Sequence, residues 1–140
     1  MLNRSIICKV ANQLHKSGYT LSQGFRLAWR LAKGKASAKV AGVTKGNRQQ
    51  VIDYIKQYSP KRVSLILKRE PTNKYDCNAI SVYARVGNGN LFQMGYIPAV
   101  VSKLLSGVID NITTIKANIK AITGGYYRDM VQGLQLGLSI

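Results

Sequence analysis

Residues 62–98 read RVSLILKREPTNKYDCNAISVYARVGNGNLFQMGYIP, and the period of this stretch decides the class of fold. From Arg62 to Lys68, the side chains of Val63, Leu65 and Leu67 fall on one face of an extended chain, as a half-buried strand requires. The loop Glu70 to Cys77 then gathers Pro, Asn and Asp, whose fixed φ or short polar side chains favour turns. Asn78 to Arg85 returns to strand composition. Asn88-Gly89 offers a hairpin turn into a further strand, Leu91 to Ile97. Strands joined by such short turns pair antiparallel.

Upstream, Lys39 to Val43 suits a strand. Asn47 is expected to cap a helix running to Tyr58, with Gln50 at N3, Val51, Ile52 and Ile55 facing inward, and Pro60 closing it. Downstream, Pro98 opens a helix at its first position and Gly107 is expected to end it. Thr114 to Ile122 alternates again, with Ile115, Ala117, Ile119 and Ala121 against Lys116, Asn118 and Lys120. Gly124-Gly125 turns the chain, and Leu134, Leu136, Leu138 and Ile140 mark a last strand that ends the domain without a tail. The fold class is therefore mainly β (α+β). It is a small OB/SH3-like β-barrel of about six strands with two inserted helices, preceded by an N-terminal helical arm.

That arm holds two helices. In residues 4–17, Ile7, Val10, Ala11 and Leu14 share a face and Gly18 stops the helix. Thr20 and Gln23 form a capping-box pair for the second, which runs to Lys33. Its apolar stripe, Phe25, Ala28, Trp29 and Ala32, is expected to dock the arm on the barrel rather than to stack bases. Residues 1–37 thus form a basic helical extension and residues 38–140 the main domain.

The 140-residue chain carries 21 Lys and Arg against 5 Asp and Glu, a formal charge of +16. Residues 1–52 hold no acid at all. Such an excess points to nucleic acid, an anionic surface or an acidic partner. Apolar runs such as Ala99 to Val101 are too short to span a bilayer, so no membrane association is expected. Ile6-Ile7-Cys8 is too short for a secretory core, and the poverty in Ser argues against a mitochondrial presequence. Two Cys and one His leave no Cys/His zinc site and no disulfide framework. The lone His15 leaves Ser-His-Asp and Cys-His catalysis without a spare partner. The scattered acids show no metal-nuclease pattern, and Gly34-Lys35-Ala36 lacks the rest of a P-loop. A non-enzymatic protein with no cofactor and no metal is expected.

Several segments together resemble a HIRAN domain over residues 39–140. They are Lys39-Val40-Ala41-Gly42-Val43, Asn47-Arg48-Gln49, Leu67-Lys68-Arg69-Glu70-Pro71, Asn73 through Ile80, Met94-Gly95-Tyr96-Ile97-Pro98 and Ile122-Thr123-Gly124-Gly125. The Glu-Pro block followed by Asn-x-Tyr-Asp-x-Asn-Ala-Ile and Gly-Tyr-Ile-Pro is the specific part. More weakly, Leu21-Ser22-Gln23 to Ala28-Trp29 looks like a helical segment of small Gram-positive bacterial and phage proteins. The HIRAN resemblance implies an OB-like barrel that binds single-stranded DNA and recognises its free 3′-hydroxyl end, in DNA repair, replication or phage DNA metabolism. It further implies a cytoplasmic, nucleoid-associated setting and a helicase or nuclease partner. Thr44-Lys45 stands where the end-binding members have a basic-aromatic pair, and Ala99 where they have a Lys.

The candidate nucleic-acid-binding residues are Tyr75, Asp76, Asn78, Tyr96, Lys45, Arg48, Lys68, Arg69 and Lys74. A terminal 3′-hydroxyl donates a hydrogen bond that the Asp76 carboxylate accepts, whereas an internal phosphate there meets like charge. The alternative for Asp76 is an Asx turn, and Asn78 is the more suited to holding the loop. Tyr75 either stacks on a terminal base or packs over the barrel mouth. Tyr96, which matches a position near the nucleic acid in the family, either stacks on or hydrogen-bonds the DNA or serves as an ordinary β-strand residue. The five cations offer phosphate contacts. The rival reading is an accessory module that docks Trp29 and Phe25 on a DNA-processing enzyme, with RNA binding a third possibility.

Overall fold

The structure is a computed structural model that describes residues 3–124 and 131–140. Its elements run α1 (Arg4–Lys16), α2 (Leu21–Ala32), β1 (Ala36–Lys39), α3 (Arg48–Ile55), β2 (Val63–Arg69), β3 (Ile80–Val86), β4 (Phe92–Tyr96), α4 (Ala99–Asn111), β5 (Lys116–Gly124) and β6 (Gln132–Ser139). The six strands form one antiparallel sheet in the order β1-β6-β5-β2-β3-β4.

The sheet curls until its two ends meet. Just past β1, Ala41 pairs with Tyr96 of β4, with N···O distances of 2.7 and 2.9 Å. Gly95 makes this closure possible. Its φ is +150°, and a Cβ there would run into the Ala41 carbonyl and the Val40 side chain. At the opposite seam β2 and β5 share only the pair Leu65 with Ala117. The result is the OB-like curled sheet that the strand periods predict, with α3 and α4 inserted and α1 and α2 in front.

The core is one apolar cluster. Val82, Ala84, Met94, Leu134 and Leu136 come from the sheet, Ile52 from α3, and Leu105 and Val108 from α4. Ile7, Val10, Ala11 and Leu14 of α1 and Ala28 and Leu31 of α2 belong to the same cluster. The capping box of α2 forms as its sequence predicts: the Gln23 N–H reaches Thr20 Oγ1 at 3.1 Å, and the Thr20 N–H reaches Gln23 Oε1 at 3.0 Å.

Several boundaries differ from the sequence expectation. Paired strand β1 lies at 36–39 rather than 39–43, because the chain leaves the ladder to reach Tyr96 and then turns at Gly42, φ +77°. Asn47 makes no side-chain cap, and α3 ends at Ile55. Instead Gln49 ties the helix to the sheet through the Gln132 main chain, at 2.9 Å in each direction. Pro98 precedes α4 rather than opening it, and the helix runs through Gly107 to Asn111. Gly107 is a crossing point: a Cβ there would meet the Gln13 side chain of α1. The Asn88-Gly89 hairpin exists, but Gly87 carries the positive φ of +56°. Of the expected Gly124-Gly125 turn, Gly124 closes β5 and Gly125 lies outside the described residues.

The expected α2 stripe does meet the core, but its centre is shifted. Gly24, Ala28 and Leu31 are buried, whereas Phe25, Trp29 and Ala32 are half-buried against the edge of the core, beside the exposed Arg26 and Arg30. The small residues let α2 approach α1 closely, which leaves the large rings at the edge of the contact. Among the described residues, no helix is long and apolar enough to cross a membrane.

Candidate nucleic-acid interface

Three connections converge where the barrel closes. The turn after β1 brings Ala41, Lys45 and Arg48. The β2–β3 loop brings Asn73, Tyr75, Asp76 and Ala79, and the end of β4 brings Tyr96, Ile97 and Ala99. They line one cleft of about 470 Å³. Small apolar residues line it together with charged and aromatic ones.

The β2–β3 loop is held by its own side chains. Asn73 Oδ1 accepts the N–H groups of Tyr75, at 2.9 Å, and Asp76, at 3.1 Å. Its amide nitrogen donates to Glu70 Oε1 at 3.0 Å, and the Tyr96 hydroxyl donates to the same oxygen at 3.1 Å. Donation by Asn73 first, together with the Tyr96 hydroxyl and the nearby Lys68 charge, holds the Glu70 carboxyl below its ordinary pKa. Arg69 clamps the loop from below. Its Nε and one terminal nitrogen reach the two Asp110 oxygens at 3.0 Å each, and its other terminal nitrogen reaches the Cys77 and Ala79 carbonyls.

On this fixed backbone Tyr75 stands 97% exposed. It does not pack over the barrel mouth. Asp76 Oδ1 accepts the Asn78 N–H at 2.9 Å, so the Asx turn is real. Its other oxygen accepts no hydrogen bond among the described residues. Arg48 donates to the Gly42 carbonyl at 2.7 Å and lies 5.9 Å from the Tyr96 ring centroid, which fixes the guanidinium as part of the cleft wall. Lys45 is exposed at the rim.

Of the nine residues singled out in the sequence, Lys45, Arg48, Tyr75, Asp76 and Tyr96 meet in this cleft. Lys74 is exposed on the same loop. Lys68 lies over the Tyr83 ring at 5.4 Å, away from the cleft lining. Arg69, expected among the phosphate contacts, is engaged within the protein, because Asp110 and two carbonyls take its donors. Asn78 accepts from Ser106 Oγ at 3.1 Å and anchors the loop to α4. Sequence reasoning did not single out Asn73 and Glu70 as the frame of the site. The signal for Asn73 was its place two and three residues before Tyr75 and Asp76, the Asx-turn spacing.

A family model described as the HIRAN domain matches residues 33–132. The chain belongs to the HIRAN domain family. HIRAN domains are DNA-binding modules. The crystal structure of the HIRAN domain of human HLTF is 20% identical to this chain, covers 74% of each chain and superposes with a TM-score of 0.43. No curated protein matches the sequence. In this HIRAN domain the described residues hold no group of three or more His, Cys, Asp and Glu side chains arranged to hold a metal ion.

Proposed function

We propose that the cleft binds a single DNA strand at its free 3′ end and that the domain acts by binding, without catalysis. The observation that carries this reading is the nearly fully exposed Tyr75 ring, held on a hydrogen-bonded loop beside Asp76 and facing Lys45 and Arg48 across one concavity. An exposed ring on a fixed backbone offers a base a stacking surface at little conformational cost, worth about 1–3 kcal/mol per base. Lys45 and Arg48 suit phosphates. The unpaired Asp76 oxygen suits a terminal hydroxyl, which donates, and repels a phosphate in the same position.

The test is fluorescence anisotropy with two short strands of one sequence, one ending in a 3′-hydroxyl and the other in a 3′-phosphate. The expected result is tighter binding of the hydroxyl strand, by about ten- to a hundredfold for a charge-assisted hydrogen bond of about 1.5–3 kcal/mol. That preference disappears in Asp76→Ala. Equal, salt-sensitive binding of both strands would overturn end recognition. Weaker binding of both strands on Tyr75→Ala, by about five- to a hundredfold for a stack worth about 1–3 kcal/mol, would mark the ring as the stacking platform.

A further inference from the structure

Along α2, where half-buried rings edge the core, runs a groove of about 640 Å³, larger than the cleft at the barrel closure. Tyr19, Phe25 and Trp29 supply its rings, and Arg26 and Arg30 line it with them. Phe25 and Trp29 are one helical turn apart, as are Arg26 and Arg30, so a row of rings runs beside a row of guanidinium groups. Lys33 continues the cationic row, with its ammonium 5.7 Å from the Trp29 ring centroid. Among the described residues, no carboxylate lines this groove.

We propose that this face is a second single-strand contact, where bases stack on Phe25 and Trp29 while Arg26 and Arg30 hold the phosphates. The charge favours an anionic occupant, since among the described residues the ionised groups of the lining are guanidinium ions. The rings select among anions. The apolar lining is aromatic apart from Leu27, and flat rings interleaved with arginines are what a single strand uses regardless of its sequence. An acidic amphipathic helix would instead need aliphatic depth along the groove. α2 is capped at its start and packed on the Ala11 backbone of α1 at Gly24, which fixes the platform on the core. This inference rests on the reading that the chain binds single strands, but it uses none of the residues of the first cleft.

Trp29 is the only tryptophan in the chain, so its emission reports on this face alone. The experiment titrates the whole protein with unlabelled oligothymidylate, following emission, while anisotropy of a labelled copy follows total binding. Emission is expected to fall about twofold at saturation, as bases stacked on an indole quench it. Arg26→Glu with Arg30→Glu should abolish the quenching and reduce the slope of log K against log salt by about 1.4, at about 0.7 per contact on a single strand. The same variant should keep its preference for a 3′-hydroxyl, and Asp76→Ala should keep the quenching. Unchanged emission while anisotropy shows full binding overturns this proposal and leaves the first cleft standing. Quenching with no 3′-end preference overturns the first reading and supports this one. Equal quenching by polyglutamate would assign the face to an acidic protein and overturn base stacking.

Discussion

Glu70 lies behind the cleft lining and Asn73 forms part of it, and together they set the backbone on which Tyr75 and Asp76 stand. Glu70 links the β2–β3 loop to the Tyr96 hydroxyl, and its carboxyl is held below the ordinary glutamate pKa. A depressed folded-state pKa means that the unfolded chain binds the proton more readily. The stability that Glu70 contributes is therefore complete above its ordinary value and is lost as pH falls through the depressed one. Urea unfolding over this acid range should show a pH-dependent limb that Glu70→Gln flattens, because the amide no longer titrates. Ala99 supplies a second test at this scale. It is exposed on the cleft lining, and Ala99→Lys places a further cation there. Strand affinity should rise at low salt, and the slope of log K against log salt should steepen by about 0.7. An unchanged slope would show that the strand does not pass Ala99.

The closing contact between the end of β1 and β4 belongs to the scale of elements. It depends on Gly95, because no other residue fits against the Ala41 carbonyl at that φ. Gly95→Ala should destabilise the domain by at least about 1–3 kcal/mol through backbone strain and overpacking. It should also weaken strand binding, since Ala41 and Tyr96 line the cleft that the bridge closes. Amide exchange would check the point: the Ala41 and Tyr96 N–H groups should lose protection first. Elements also explain which boundaries the sequence hid. Gly107 carries every local sign of a helix end. It sits mid-helix because α1 crosses α4 there and the Gln13 side chain takes the space of a Cβ. Asn47 carries the sign of a cap, but Gln49 ties α3 down through Gln132 instead.

For the whole molecule, the helical arm and the barrel share one core. Ile7, Val10 and Leu14 of α1 and Leu31 of α2 are buried with the sheet and α4 residues. Fully burying side chains of this kind is worth about 1.5–3 kcal/mol each. Four of them match a large part of the about 5–15 kcal/mol that holds a domain folded. A chain lacking residues 1–33 should therefore lose its cooperative thermal transition. If it melts sharply at an unchanged temperature, the barrel is an independent unit and the arm an appendage. The charge acts at this scale too. With no acid before Asp53, the arm adds positive field to whatever the cleft binds, and encounter with a strand should slow steeply as salt rises.

Local chemistry was legible directly. The strand alternation in 62–97, the Thr20–Gln23 capping box and the turn residues of 70–78 each act on neighbours within a few positions. So does the positive charge, which needs no fold to be counted. The loop Asn73 to Asn78 could be read as a site because its own side chains bond its own backbone. What could not be read depends on contacts between distant segments. The Ala41–Tyr96 bridge joins positions 55 residues apart in sequence, and the Arg69–Asp110 clamp joins positions 41 apart. Only the packed structure turns Arg69 inward while Arg48 becomes a cleft wall, because two cations alike in sequence differ in what the fold sets opposite them. The shift of the α2 stripe was likewise decided by tertiary packing. Burial of Gly24 against Ala11 of α1 allows a close helix approach, and Phe25 and Trp29 stand half-buried at the edge of the core.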